Sequence, residues 1–444
     1  MKIVHIIPGS GGSFYCGNCL RDSKYVKALK DLGHQVIKVP MYLPLFDDAH
    51  DLNDVPVFYG AVNLYLKQRF PLFRHMPTFV EHALDSKSIL HLAAQKAGST
   101  RAKGLEEMTV SMLLGEEGQQ KEELERMVDW LVHEAKPDVI HLSNALLLGL
   151  TRRIKQRLNI PVVCSLQDED VWVDVMTDKY RAEVWDLMSE RGREVDAFIS
   201  VSDFYATEIR KKMTIRDDQL FTVHIGVDAA DYFPEQISKK SPVIGFLSRL
   251  CEENGLAVLV DAFILLKQDS AYHEVVLKLT GGSTADDLHF IRDQKAKLSK
   301  AGLEKWVIWA DEFEGEERQK FFDTVSVISV PVLNGEAFGL YQLEAMASGI
   351  PMVQPALGAF PEVINLSGGG LVYTPNDAAS LAKAIGSVIL DSNKLQELSD
   401  AGLSGVQEHF DIHEQSKKLI KVYEHVVKVQ KENSDIQNNL FAGI

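Results

Sequence analysis

The sequence predicts an α/β protein built as two parallel-sheet halves, each a sheet covered by helices, and three observations predict it. Short β-rich runs alternate with amphipathic segments through the first half. The same alternation restarts at Pro242-Val-Ile-Gly-Phe-Leu247. Between the two series, Glu235 to Ser241 is polar and poor in apolar residues, as a domain linker would be. A length of 444 residues suits two doubly wound domains, with about 200 residues in each half.

In the first half the strands are expected at Lys2 to Ile7, Gln35 to Val39, Asp138 to Leu142, Pro161 to Leu166, Ala197 to Val201 and Leu220 to His224. Helices are expected between them at Asn18 to Leu32, Glu122 to Glu134, Leu146 to Leu158, Lys179 to Glu194 and Asp203 to Met213. The stretch from Leu43 to Gly118 breaks the alternation and reads as an inserted helical subdomain. Within it, residues 58–76 mix aromatics with Lys67, Arg69 and Arg74, which fits either a helical lid with a satellite core or an acceptor or lipid-surface contact.

In the second half the strands are expected at Pro242 to Leu247, Val275 to Leu279, Trp306 to Trp309, Val325 to Val330 and Pro351 to Val353. Helices at Asp377 to Leu390 and Lys394 to Glu408 close it, and Ile412 to Lys431 forms one long amphipathic helix using Leu419, Val422, Tyr423, Val426 and Val427. Fraying is expected beyond Glu432. The domains are then 1–235, with the insertion near 43–118, and 242–411, followed by the terminal helix at 412–433.

A net charge of −16 disfavours nucleic acid and anionic membranes as global partners. No apolar run approaches the length of a membrane span, and Met1 to Pro8 is too short for a secretory signal, so it is read as the first strand of a cytoplasmic protein. Four cysteines, Cys16, Cys19, Cys164 and Cys251, are too few for a disulfide framework. Cys16-Gly-Asn-Cys19 sits at a helix start, where the dipole lowers a thiol pKa, and reads as a local structural pair or a redox pair. No second pair completes a metal site, and no metal is expected.

The segment from Asn334 to Pro351 is the most informative about chemistry. Its turn delivers Glu336, its helix opens at Phe338-Gly339-Leu340, and Glu344 follows inside the helix before Gly349 and Pro351 stop it. Leu340, Leu343, Met346 and Ala347 recur at helical spacing and should face the core. The free N–H groups at the helix start suit a phosphate, and Gly339 lets backbone approach an anion. The carboxylates suit sugar hydroxyls on either side of it, and phosphate flanked by hydroxyl-rich groups describes a nucleotide sugar. The plainer alternative makes Glu336 a helix cap and Glu344 a solvated residue.

This segment resembles the Glu-x7-Glu region of the retaining glycosyltransferases of family 4, which have the two-Rossmann-domain glycosyltransferase B architecture. Gly9-Ser-Gly11-Gly12 after the first strand resembles the family's glycine loop. His224-Ile-Gly226-Val-Asp228 with Phe233-Pro234 resembles its interdomain signature, and Gly245-Phe-Leu-Ser-Arg249 its diphosphate loop. The resemblance implies a cleft between two domains. It implies a UDP-, GDP- or ADP-sugar co-substrate and no separate cofactor, with a glycan, lipid or small-molecule acceptor. Glu336 and Arg249 would carry catalysis. Arg249, Asn254, Ala337, Phe338, Gly339, Leu340, Glu344, Gly11 and Gly12 would hold the donor. Glu344 would take the ribose hydroxyls, and His141, Gln167 and Asp168 would lie on the acceptor side. The resemblance also has the terminal helix cross back to the first domain.

Two departures stand against full activity. Asn254 occupies the place of the family's usual lysine, and Gln167 stands near where many relatives carry histidine. A catalytically weakened binder of a nucleotide sugar or glycan is therefore the alternative. A dinucleotide or dithiol oxidoreductase is the third reading, opposed by the lack of a full Gly-x-Gly-x-x-Gly after the first strand. Peripheral membrane contact through Lys67, Arg69 and Arg74, at the inner membrane face, is a further expectation. The sequence leaves the oligomeric state open.

Overall fold

The computed structural model describes residues 1–8, 15–41, 58, 104–237, 241–311, 313 and 315–442, with backbone alone at 316 and 436–442. The chain divides into two units. The first comprises Met1–Gly11, Asp22–His224 and His413–Ile444, the second Gly12–Arg21 and Ile225–Ile412.

In the first unit, strands β1 (Lys2–Ile7), β2 (Gln35–Pro40), β3 (Val139–Leu142), β4 (Val162–Leu166), β5 (Ala197–Ser200) and β6 (Leu220–Thr222) form a six-stranded sheet in the order β2-β1-β3-β4-β5-β6. Every pairing is parallel, from Ile3 opposite Val36 and Val139 to Phe198 opposite Leu220. A parallel sheet is covered on both faces, so its strands read as continuous apolar runs instead of alternating ones. Ile3, Val4 and Ile6 of β1 and all residues of β3, β4 and β5 are accordingly buried.

Helices of this unit are α1 (Gly17–Asp31), α2 (Glu106–Leu114), α3 (Lys121–Trp130), α4 (Thr151–Leu158), α5 (Glu169–Val173), α6 (Asp178–Gly192) and α7 (Asp203–Ile209), the first turn of α1 belonging to the second unit. The helix expected at Leu146 to Leu158 is instead a 3₁₀ turn over Ala145–Leu150 followed by α4. Gly149 explains the break: a Cβ there would lie 2.0 Å from the Met112 carbonyl oxygen of α2, so two backbones meet where a regular helix would carry a side chain. Of the expected insertion at 43–118, α2 and a 3₁₀ turn at Gly115–Glu117 are described, and Phe58 is buried against Trp130 with ring centroids 5.5 Å apart. Residues 43–57 and 59–103, including Lys67, Arg69 and Arg74, lie outside the described residues.

In the second unit, β7 (Val243–Leu247), β8 (Val276–Thr280), β9 (Val307–Trp309), β10 (Val327–Ile328), β11 (Met352–Pro355) and β12 (Gly370–Tyr373) form a parallel sheet in the order β12-β11-β10-β7-β8-β9. Strand β12 has no counterpart among the expected strands. It is a half-buried edge strand that follows Gly368-Gly369, so its residues give a turn signal before an apolar one. The helices are α8 (Leu256–Leu266), α9 (Leu288–Lys300), α10 (Gly315–Thr324), α11 (Leu340–Ala347), α12 (Phe360–Ser367), α13 (Ala378–Gly386) and α14 (Ser392–His409).

The terminal helix α15 (Ile412–Ala442) runs past Glu432, where fraying was expected. Its early turns bury Leu419, Val422, Tyr423 and Val426, and the Lys, Glu, Gln, Leu and Ala residues of its remainder are good helix formers that extend a helix already nucleated by packing. From His413 onward it belongs to the first unit. Among the described residues no helix is long and apolar enough to cross a membrane.

Candidate functional site

The sheet of the second unit reverses its strand order between β7 and β10, which pair through Ile244 with Val327 and Gly245 with Ile328. Ligands of doubly wound sheets bind beyond the carboxyl ends of the strands at such a switch point. The loops that leave β7 and β10 here are the two that carry Arg249 and Glu336. They are in direct contact. The Leu333 amide donates to the Glu253 carbonyl at 3.0 Å, and Gly255, at φ +76°, approaches so closely that a Cβ would sit 1.9 Å from the Pro331 carbonyl oxygen.

Arg249 faces a partner that the sequence did not suggest. Its Nε donates to Asp287 Oδ2 and its Nη2 to Asp287 Oδ1, both at 2.8 Å, with a further bond from Nη2 to Thr284 Oγ1 at 3.1 Å. Asp287 is 1% exposed and closes a capping box with Thr284 at the start of a 3₁₀ turn that leads into α9. Burial pushes the Asp287 carboxyl up, but the hydrogen bonds from Arg249 and Thr284 hold it below the usual carboxylate range. Burial likewise opposes the Arg249 charge, and Asp287 more than offsets it. Asn254 uses its side-chain amide to tie the same loop together, donating to Ser248 Oγ at 2.8 Å and to the Arg249 carbonyl at 3.1 Å. An asparagine at this place organises the loop and brings no charge.

Helix α11 is buried on all sides: all eight residues from Leu340 to Ala347, Gln342 and Glu344 included. Its N-cap is Gly339, in the left-handed region at φ +86°. A Cβ at Gly339 would meet Glu336 Oε2 at 2.7 Å, so the Glu336 carboxylate lies against the helix start, as the spacing suggested. The turn is pinned by the Ala359 amide, which donates to the Glu336 carbonyl at 3.0 Å. Ala337 and Phe338 are buried beside it, and Gln342 Nε2 donates back to the Phe338 carbonyl at 2.7 Å.

Glu344 is not a solvated helix residue. It is 0% exposed, and its two oxygens are held by different partners. Oε2 accepts from the Tyr15 hydroxyl at 2.8 Å. Oε1 accepts from the Tyr232 hydroxyl at 2.9 Å and lies 3.3 Å from Arg318 Nη2 of α10. Such a carboxylate needs this company, because an unpaired buried charge costs several kcal/mol. Burial and the Glu344 charge raise both phenols well above their ordinary pKa, so they stay protonated and donate. Tyr15, Tyr232, Arg318 and Asp287 were all missed as site residues. Tyr15 is 329 positions from Glu344, a separation at which one sequence carries no pairing signal.

Of the acceptor-side candidates in the first unit, His141 is a buried strand residue with both ring nitrogens engaged. Nδ1 lies 2.6 Å from the Tyr423 hydroxyl and Nε2 2.8 Å from Ser165 Oγ. Gln167 and Asp168 follow β4. Gln167 Nε2 donates to the Ser143 carbonyl at 2.9 Å, and Asp168 is half-buried with φ 54°. The next residue, Glu169, is 1% exposed and fastens two strand ends together, accepting from the Ala145 and Gln167 amides at 3.0 and 2.7 Å and from the Tyr205 hydroxyl at 2.9 Å. Burial raises its pKa to about 7 despite these donors. Gly11 and Gly12 lie outside the described residues. Cys16 and Cys19 are both half-buried, with their sulfurs 2.9 Å apart at the start of α1.

Two doubly wound parallel six-stranded sheets define the glycosyltransferase B fold class. HepE of Anabaena, solved in complex with UDP, shares this fold with a TM-score of 0.67 at 16% identity, over 96% of this chain and 100% of that one. Residues 113–231 match the family Glycosyltransferase Family 4, and residues 241–391 match Glycosyl transferases group 1. The chain therefore belongs to the group 1 glycosyltransferases of the family 4 type. It is 24% identical over 304 residues to the MMP alpha-(1->4)-mannosyltransferase of Mycolicibacterium hassiacum, covering 65% of this chain and 71% of that one. It is 27% identical over 191 residues to the lipopolysaccharide core biosynthesis mannosyltransferase LpsB of Rhizobium meliloti, covering 42% of this chain and about half, 52%, of that one. Family membership sets aside the oxidoreductase reading.

Proposed function

We propose that the protein transfers a hexosyl group from a nucleotide-sugar donor to a hydroxyl of a carbohydrate, lipid or small-molecule acceptor, with retention of anomeric configuration. The observation that carries this reading is the placement of Glu336 against the Gly339 helix start, at the strand-order reversal of the second unit. The diphosphate would lie at the N-terminus of α11, where the helix-start amides and the helix dipole favour negative charge. As the nucleoside diphosphate departs, those amides stabilise the charge it gains. Glu336 would accept hydrogen bonds from the transferred sugar, Glu344 would receive the ribose, and Arg249 would supply the cation. The co-substrate class is supported by HepE, solved with UDP, and by the mannosyltransferases among the relatives.

A second reading, a nucleotide-sugar or glycan binder of weakened activity, is favoured by one specific arrangement. Arg249 is already paired with Asp287, and Asn254 adds no charge beside it. Titration with UDP-, GDP- and ADP-sugars, followed by a transfer assay, separates the two. Turnover that disappears in Glu336→Ala supports the enzyme. Tight binding without transfer to any acceptor class supports the binder.

A further inference from the structure

Glu344 is completely buried, so no ligand hydroxyl can reach it unless one of its present partners leaves. Those partners are distributed unequally. Oε1 is held by both Tyr232 and Arg318, whereas among the described residues Oε2 has the Tyr15 hydroxyl alone. The two phenols together present two O–H donors to the two oxygens of one carboxylate, the pattern that a vicinal diol would present.

The anchoring is unequal as well. Tyr232 and Arg318 belong to the continuous part of the second unit, Ile225–Ile412. Tyr15 comes from the short segment Gly12–Arg21, which is separated in sequence from that part and held to it by its own contacts. Its amide donates to the Gly281 carbonyl at 2.9 Å, and its ring lies 5.9 Å from the Arg318 guanidinium.

We propose that the Tyr15 hydroxyl is an exchangeable stand-in for a ribose hydroxyl: donor binding replaces the Tyr15 bond to Glu344 Oε2 with one from the nucleotide, while Tyr232 and Arg318 keep Oε1 fixed. This rests on the reading that Glu344 receives the donor ribose. Tyr15 thereby sets the donor's apparent affinity, because each binding event must first break an internal hydrogen bond. It also makes the site selective for ribonucleotides, since a sugar without hydroxyls gains nothing from displacing the phenol.

Calorimetric titration of UDP, GDP and ADP, and of their 2′,3′-dideoxy counterparts, into wild type, Tyr15→Phe and Tyr232→Phe tests the exchange. In Tyr15→Phe the Oε2 atom has no internal donor, so the ribonucleotide that wild type accepts should bind roughly fivefold tighter. The dideoxy form should show no such gain, and Tyr232→Phe should not tighten binding. Unchanged or weaker ribonucleotide binding by Tyr15→Phe overturns the exchange while leaving the donor reading intact. Absence of binding by any nucleotide to any of the three proteins overturns the donor reading and the exchange with it. Should Tyr15→Phe fold poorly, 3-fluorotyrosine at position 15 replaces it. Its ¹⁹F resonance should move on saturation with the ribonucleotide and not with the dideoxy form, and a resonance that ignores both overturns the proposal.

Discussion

Arg249 holds Asp287 through two parallel N–H···O bonds of 2.8 Å, a forked pairing in which the guanidinium of the loop after β7 meets a carboxylate from the loop after β8. Fork-to-carboxylate geometry is the same geometry that arginine uses for phosphate. Asp287 therefore preorganises the guanidinium, and a phosphate brought to Arg249 would have to compete with it.

Asp287→Asn should lower the unfolding free energy by about 2 kcal/mol, since it weakens a largely buried charge pair. It should also steepen the salt dependence of nucleoside diphosphate binding, because Arg249 gains a net charge to offer. The Asp287 carboxyl lies below its ordinary range, so its contribution is present above the unfolded pKa and is lost as pH falls through the folded one. Urea denaturation at neutral pH and below pH 4 should thus show wild type and Asp287→Asn converging at acid pH.

Glu169 predicts the opposite pH response. Its folded pKa of about 7 lies above the unfolded value, so the native state binds the extra proton between them. Stability from this group is complete below the unfolded pKa and declines as pH rises toward 7, by up to roughly 3 kcal/mol. Glu169→Gln keeps the Tyr205 neighbour and cannot ionise, so its stability should be flatter between pH 5 and pH 8 in denaturant titrations.

Gly339→Ala should reduce transfer by at least about tenfold with the fold retained. Left-handed backbone costs a non-glycine residue ~1–2 kcal/mol. The added methyl would also sit 2.7 Å from Glu336 Oε2, forcing that carboxylate away from the helix start. Steady-state turnover beside a melting curve distinguishes the loss of placement from a loss of fold.

Thiol labelling should divide the cysteines two and two. Cys251 is 3% exposed and burial pushes its thiol up to about 12, and Cys164 is 0% exposed. Cys16 and Cys19 are half-buried with adjacent sulfurs. Maleimide labelling of the native protein, mapped by peptide mass, should mark the second pair first, and diamide should join Cys16 to Cys19.

What the sequence revealed of this site is what lies close together along it. Glu336, Gly339 and Glu344 share one turn and one helix, so periodicity and a glycine were enough to place them. Their partners come from elsewhere. Asp287 follows Arg249 by 38 positions, and its role depends on a capping box that only the folded loop creates. Tyr232 directly precedes the Phe233-Pro234 pair singled out in the sequence, yet nothing local says that its hydroxyl reaches Glu344. The same limit governs the fold. Strands with continuous apolar runs, such as Ala197–Ser200, were evident, whereas the edge strand Gly370–Tyr373 was hidden behind glycines.

The contact between Gly255 and the Pro331 carbonyl fixes how this site can change. With 1.9 Å between a would-be Cβ and that oxygen, position 255 has no room for a side chain while Pro331 stays in place. A graft over residues 248–255 that puts any residue but glycine at 255 should collide with the Pro331 carbonyl. Redesign of the loop after β7 therefore has to keep this glycine or move the backbone at Pro331 together with it.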